Sequence, residues 1–370
     1  MASVHEWPPS LSDAQLQALT LLATTYALSH GLVYLPVAAV QPAVPTAAIH
    51  APLALFPSPF PRPLFQLARR LQSTYNVLYA RVALDEQFLD RVMGELEGVG
   101  RVDEFTGQLW KKWKLLRDEG IEQTFHLGLF RSDYLLHVPN DDQPISLKQV
   151  EFNTISSSFG ALSERIAGLH NHPEGLAAAH KAYNTSHAHI LFVVQDGERN
   201  VFDQRWLEYE LLEKHSIHVV RQTFDQLASS ASVDLHSRIL HITLPSDLHA
   251  PLEVSVVYFR AGYTPADYPT PAHYDTRALL ERSRAIKCPS IQLQLAGGKK
   301  VQEVLTQPGM LEHFLCDAQR WGPRALPQMD ADAVRASWMG MWGLDAEGGV
   351  ERARAQAAGL VLKPQREGGE

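Results

Sequence analysis

Cysteine is nearly absent: Cys288 and Cys316 are the two in 370 residues, too few for a disulfide framework and without metal-ligand spacing. Their scarcity points to a reducing compartment and to no structural zinc. Positive charge is also short, with 33 Lys and Arg against 41 Asp and Glu, a net charge of −8 and a sequence pI of about 6.1. A grip on phosphate backbones needs a basic stripe, so no nucleic-acid partner is expected. Long apolar runs are missing as well. The stretch from Leu16 to Val40 is interrupted by Gln17, Thr20, Thr24, Ser29, His30 and Gly31 before it reaches the length of a membrane span. The opening Met1-Ala2-Ser3-Val4-His5-Glu6-Trp7 lacks the basic-then-apolar order of a signal peptide. The reading is a cytoplasmic chain with no membrane partner.

What is present is ordinary globular material, 45% hydrophobic and 20% charged, far from the signature of disorder. A single core stops growing near roughly 250–300 residues, so more than one domain is expected. Ser12-Asp13 caps a helix whose Leu16, Leu19, Leu22, Ala23 and Tyr26 share a face, with Gly31 marking its end. The prolines from Pro36 to Pro63 predict an ordered surface loop. Helical periodicity follows over Leu64–Leu96 and Phe105–Glu119, then strands over Thr124–Leu129, before Arg131, and Lys148–Asn153. A strand at His189–Val194, a helix at Phe202–Lys214 and a strand at Ile217–Val220 make one βαβ unit, and Glu253–Phe259 adds a further strand. The expected class is α/β, multidomain. Residues 1–187 form a mostly helical region with metal and substrate strands, 188–300 a parallel-sheet substrate-binding domain, and 301–370 a third region.

Chemistry is suggested at several places. Alternation along Lys148–Asn153 puts Gln149, Glu151 and Asn153 on one face, a carboxylate and amide oxygens of the kind magnesium takes. The alternative is a solvated strand face. Ile155-Ser156-Ser157-Ser158 follows with hydroxyls that suit a carboxylate, or simply a turn. Arg131 offers a forked guanidinium to a carboxylate or phosphoryl group, or forms an ion pair with Asp133. Glu198-Arg199-Asn200, with Gln204 one turn into the helix, and Arg260-Ala261-Gly262-Tyr263 both follow strands, where open α/β sheets bind ligands. Leu360–Lys363 reads as a short strand leading into Pro364-Gln365-Arg366-Glu367-Gly368-Gly369-Glu370, whose glycines and lysine suit phosphate without Walker spacing.

Eight strings carry a family likeness: FPSPFPRPLF, LGLFRSDY, QVEFNTISSSFGALSERI, ERNVFDQRWLEYELL, VVYFRAGYTP, ERSRAIKCPSIQLQLAGGKKVQ, PGMLE and VLKPQREGG. In these strings, over residues 56 to 369, the chain resembles the eukaryotic glutathione synthetases. The resemblance implies an ATP-grasp fold and the joining of γ-glutamylcysteine to glycine with ATP and magnesium, through an acyl phosphate, by a homodimer. It implies Glu151, Asn153 and Glu367 as magnesium ligands. Glu151, Lys299, Lys363, Pro364, Gln365, Arg366, Glu367, Gly368 and Gly369 would hold ATP. The peptide site would comprise Arg131, Ile155 to Ser158, Glu198, Arg199, Asn200, Gln204 and Arg260 to Tyr263, with Arg131 the catalytic cation.

Three departures accompany the likeness. Ala261 stands where some relatives carry Asp, Gly298 where some carry Thr, and Glu370 ends the chain where further glycine and asparagine should follow. The expectation is a grasp portion incomplete at its C-terminal end. An alternative function accompanies it, a catalytically impaired form that binds peptide or partners a full-length subunit. A solute-receptor-like α/β protein is a third reading, resting on the parallel sheet alone.

Overall fold

The computed structural model describes residues 8–36, 47–138, 144–167, 173–244 and 251–365, and the side chains of these except 164–174. Ten strands occur among the described residues: β1 (Val33–Tyr34), β2 (Ile49–His50), β3 (Arg131–His137), β4 (Ser146–Asn153), β5 (His189–Val193), β6 (Val219–Gln222), β7 (Ala231–Val233), β8 (Leu240–Ile242), β9 (Leu252–Phe259) and β10 (Ile286–Cys288). No described helix is long and apolar enough to cross a membrane. The chain divides into two compact units. One comprises Met1–Pro61, Ser158–Glu174 and Asp196–His218; the other Arg62–Ser157, Gly175–Gln195 and Val219–Glu370.

In the smaller unit, Ser12 and Gln15 form the capping box that opens the helix Asp13–Ser29. Gly31 ends the helix at φ 73°, and a Cβ there would lie 2.8 Å from the Trp206 ring. The expected core face is not buried. Leu16, Leu22 and Tyr26 are 46%, 67% and 50% exposed, whereas Ala27 is buried with Leu32 and Leu162. Leu21 and Leu28 place further apolar groups around this helix, so spacing alone does not single out a face. β1 and β2 pair antiparallel. The helix Val201–His215 closes at Ser216 in the left-handed region, and its Asp203 accepts from the Phe159 and Leu162 amides at 3.0 and 3.2 Å.

The larger unit is built on a mixed six-stranded sheet, order β6-β5-β9-β8-β7, with β10 also against β9. β6, β5, β9 and β10 are mutually parallel, as the βαβ pattern requires. β7 and β8 run antiparallel, which corrects the expectation of an all-parallel sheet. Residues 243–251 are too few for a crossover between β8 and β9, and Asp234 tightens the β7–β8 turn by accepting from His236 and Ser237 amides. Val254, Val256, Val257 and Phe259 are fully buried, the continuous apolar pattern of a sheet covered on both faces.

A separate two-stranded ribbon, β3 with β4, packs on an aromatic cluster. Phe152 stacks on Tyr79 with ring centroids 4.1 Å apart and on Tyr75 at 5.7 Å. Leu64–Leu96 is two helices, Arg62–Ala83 and Glu86–Met93, because Asp85 caps the second by accepting from the Phe88 amide at 2.9 Å. Thr124–Leu129 is irregular and the strand begins at Arg131, since among the described residues a single backbone bond, Leu127 to Lys287, ties the expected segment to a strand. Leu360–Lys363 likewise is not a strand: no described neighbour completes a ladder with it.

Candidate functional site

The ribbon decides which side chains of β4 gather. Its register slips so that Asp133 pairs with Glu151 but Tyr134 with Gln149, leaving Val150 as an additional residue. The expected grouping of Gln149 with Glu151 and Asn153 is thereby corrected. Gln149 is buried and accepts from Trp338 Nε1 at 3.1 Å; Trp338 and Phe152 both pack on Tyr75. Glu151 and Asn153 remain together, Asn153 Nδ2 donating to Glu151 Oε1 at 3.1 Å and to Asp133 Oδ2 at 3.2 Å.

Cations converge on this pair. Lys299, the first residue of the helix Lys299–Leu305, donates to Glu151 Oε2 at 2.6 Å. Lys363 donates to the carbonyl of Val150. Arg131 is held in the plane of Asp133, Nε to Oδ1 at 2.7 Å and Nη2 to Oδ2 at 2.9 Å, with Nη2 3.9 Å from Glu151 Oε1. Burial works to raise the Glu151 pKa, but the bond and charge of Lys299, with the Asn153 amide, hold it below the ordinary carboxylate range. Burial and then the neighbouring Lys299 charge lower the Lys363 pKa. Gln365 Oε1 accepts from the Lys300 amide at 2.9 Å, taking the place of a side-chain cap that Gly298 lacks, and Pro364 sits between Lys363 and Gln365. A Cβ at Gly298 would come 2.6 Å from both Gln365 Nε2 and Met93 Cε, the ends of two flexible side chains that would have to shift. Arg366, Glu367, Gly368 and Gly369 lie outside the described residues.

The serine loop follows β4. Ile155 is buried, and Ser156 takes the left-handed region at φ 51°. Arg260 Nη1 donates to the carbonyls of Ser156 and Ser157 at 3.1 and 2.8 Å, so a residue read as a substrate cation also braces the loop. Ser157 Oγ donates to Leu129 O at 2.9 Å. Arg260 and Ala261 amides both donate to Val193 O, tying the turn after β9 to the end of β5. Gly262 is at φ 96°, and Gly262 and Tyr263 amides donate to Asp267.

In the smaller unit, Glu198 Oε1 accepts from the Asn200 amide at 2.7 Å and Glu198 Oε2 from Gln204 Nε2 at 3.2 Å. Arg199 donates to Leu35 O at 3.2 Å and lies 4.8 Å over the Tyr34 ring. Ser158 belongs to this unit.

Asp267, Gln195, whose Nε2 donates to Asp267 Oδ1 at 2.8 Å, and Gln294, whose Nε2 donates to Gly262 O at 2.7 Å, enter the geometry without having been read as site residues. Asp267 had a signal, Thr264-Pro265-Ala266-Asp267, the Thr-x-x-acid spacing of a capping box. Gln195 had none, because its position depends on the pairing of β5 with β9, and Gln294, in the helix Ile291–Ala296, had none because its partner Gly262 O is brought to it only by the fold.

Among the described residues no three His, Cys, Asp or Glu side chains are grouped to hold a metal. Magnesium asks for less, often one or two carboxylates with phosphate and water completing the set. Glu151 and Asp133 are hard oxygen donors that both accept from Asn153 Nδ2, so this pair of carboxylates fits that chemistry, with Asn153 presenting its nitrogen to them.

Solved structures place the fold first: this is a glutathione synthetase-like fold. A glutathione synthetase-like effector from Globodera pallida, in its apo form, matches 89% of this chain and 71% of its own at TM-score 0.65 and 26% identity. The family described as "Eukaryotic glutathione synthase, ATP binding domain" matches residues 13–370, and the chain belongs to that family. It is 38% identical to glutathione synthetase of Homo sapiens and 37% to that of Rattus norvegicus, in each case over 98% of this chain and 77% of the relative. The glutathione synthetase large chain of Schizosaccharomyces pombe is 35% identical over 96% of this chain.

Proposed function

We propose that the chain is an ATP-dependent glutathione synthase of ATP-grasp type, acting in the cytoplasm as a homodimer, with residues 188–300 contributing its substrate-binding α/β segment. The observation that carries this reading is a convergence: lysines from positions 299 and 363 meet consecutive residues of β4, Lys299 on Glu151 and Lys363 on Val150. Family membership supplies the substrates, γ-glutamylcysteine, glycine and ATP.

The cysteinyl carboxylate attacks the γ-phosphorus of ATP; the new O–P bond forms as the β,γ-bridge bond breaks, giving an acyl phosphate and ADP. The glycine amine then attacks the acyl carbon, phosphate leaves, and the amine loses its proton. No protein nucleophile is required, so the residues act by position and charge. Lys299 and Lys363 neutralise phosphate oxygens, and Gln365 keeps the segment bearing Lys363 docked on the helix bearing Lys299. Arg131, oriented by Asp133, stabilises charge developing on the transferred group. Magnesium, held by Glu151, Asn153 and Glu367, would neutralise the triphosphate further.

The test is Arg131→Ala. Turnover should fall on the order of 100-fold, as for other single electrostatic contributors, while the thermal midpoint stays near wild type. Unchanged steady-state kinetics of the purified variant would overturn the role.

A further inference from the structure

Lys299 and Lys300 are neighbours at the start of one helix, yet their side chains go to different carboxylates. Lys299 reaches Glu151, whereas Lys300 Nζ donates to both oxygens of Asp345, at 3.0 and 2.9 Å. Glu303 Oε2 is 2.6 Å from the same nitrogen, close enough to pair but without hydrogen-bond alignment, so Asp345 is the acceptor that sets its direction. The Asp345 carboxyl is held below its ordinary range, first of all by its bond to Lys300. The backbone of Lys300 is engaged as well, its amide donating to Gln365 Oε1 at 2.9 Å.

These two attachments bracket Lys363, since Asp345 precedes it in the chain and Gln365 follows it. Asp345 belongs to a turn closed on itself: Trp342 Nε1 donates to Gly349 O at 3.2 Å, and Arg352 lies 3.8 Å over the Trp342 ring. The helix Gly349–Ala355 then continues from the turn toward Lys363. Gly343 lets the turn close on Lys300. A Cβ there would lie 2.0 Å from Asp345 Oδ1 and 2.9 Å from Lys300 Nζ, in the space that the ion pair fills.

We infer that Lys300 is a positioning residue for nucleotide binding: holding Asp345 with its side chain and Gln365 with its amide, it docks the segment that carries Lys363 on the helix that carries Lys299. The inference rests on the ligase reading and adds to it a charge that acts on the nucleotide through Asp345, without touching it. An ion pair whose carboxylate is 71% exposed contributes little to stability. Its effect is on geometry, because a segment already docked need not be ordered when ATP binds.

Calorimetric binding of magnesium-ATP to the purified chain, with steady-state kinetics in parallel, tests it. Kd and KM for ATP should rise roughly 5-fold in Lys300→Met and in Asp345→Asn, the upper end for a partly exposed ion pair, with kcat and the KM for γ-glutamylcysteine and glycine within about twofold. The double variant should bind no more weakly than either single one, since a shared interaction is lost only once. Asp345→Glu and Lys300→Arg should recover most of the affinity. Gly343→Ala, which keeps both charges but crowds them apart, should reproduce the loss. A Lys300 that touched phosphate itself would behave differently: Lys300→Met would weaken ATP, while Asp345→Asn, by freeing the ammonium, would leave affinity unchanged or raise it. That outcome overturns the inference, and so do equal ATP affinities in wild type and both single variants, whatever happens to their thermal midpoints. Either result leaves the ligase reading standing, whereas wild type that binds no nucleotide overturns both.

Discussion

Two faces of one strand divide the labour of this molecule. On one side of β4, Phe152 and Gln149 are buried in an aromatic cluster with Tyr75, Tyr79 and Trp338. On the other, Glu151 and Asn153 are embedded in hydrogen bonds and ion pairs with Asp133, Arg131 and Lys299. The aromatic side is held by area and packing, which lose free energy whenever atoms are removed. The polar side is held by partners whose Coulomb attraction is offset by desolvation, so it adds little to stability and concentrates charge instead. Substitutions on the two faces should therefore separate folding from catalysis.

The largest separation comes from Phe152→Ala, expected to cost about 3–5 kcal/mol of unfolding free energy in denaturant titrations; a loss under about 1 kcal/mol would mean the cluster is not the support of β4. Next is a charge buried without an equal partner, Lys287, whose pKa burial brings down to about 8 while Nζ donates to Ser283 O at 2.6 Å. Its folded value lies below its unfolded one, so the unfolded chain binds the extra proton between them and stability rises with pH across that window. The difference between wild type and Lys287→Met should shrink by about 3 kcal/mol between pH 8 and 10.5; a pH-independent difference would contradict the burial.

Glu151→Gln sharpens the contrast from the other face. Turnover should fall on the order of 100-fold, with stability at neutral pH falling by about 1–3 kcal/mol, less than for Phe152→Ala, because Lys299 loses its carboxylate partner in a partly buried site. Because Glu151 titrates below its unfolded value, its contribution to stability is present above the ordinary carboxylate pKa and disappears as pH falls through the lowered folded value. An acid limb of the stability curve that ignores the substitution would break the comparison. Smallest is Leu22→Ser on the exposed side of the helix Asp13–Ser29, expected to change stability by less than about 0.5 kcal/mol.

That last residue illustrates what was legible in the sequence. The helix Asp13–Ser29 could be read from Ser12 and Gln15, since a cap is a local arrangement. Its buried face could not, because apolar residues surround it and only tertiary neighbours choose among them. The helix Glu104–Glu119 was legible in both respects: Phe105, Leu109, Trp110, Trp113 and Leu116 are buried at helical spacing. Along β4, alternation placed Glu151 with Asn153 correctly but misplaced Gln149, since the slip at Val150 is a property of the pairing with β3. Lys299 follows no recognised phosphate-loop spacing, and family likeness singled it out, whereas Lys363 was legible from its place before the glycines of Leu360–Glu370. Gln294 offered no signal, since the Gly262 carbonyl to which its amide donates is brought near only by the fold.

The ligase activity is tested most directly by ATP-dependent phosphate release from the purified chain with γ-glutamylcysteine, glycine and magnesium, each omitted in turn. Release should require all four components and fall sharply in Lys299→Ala. Release that persists without the peptide, or that is indifferent to Lys299, would contradict it.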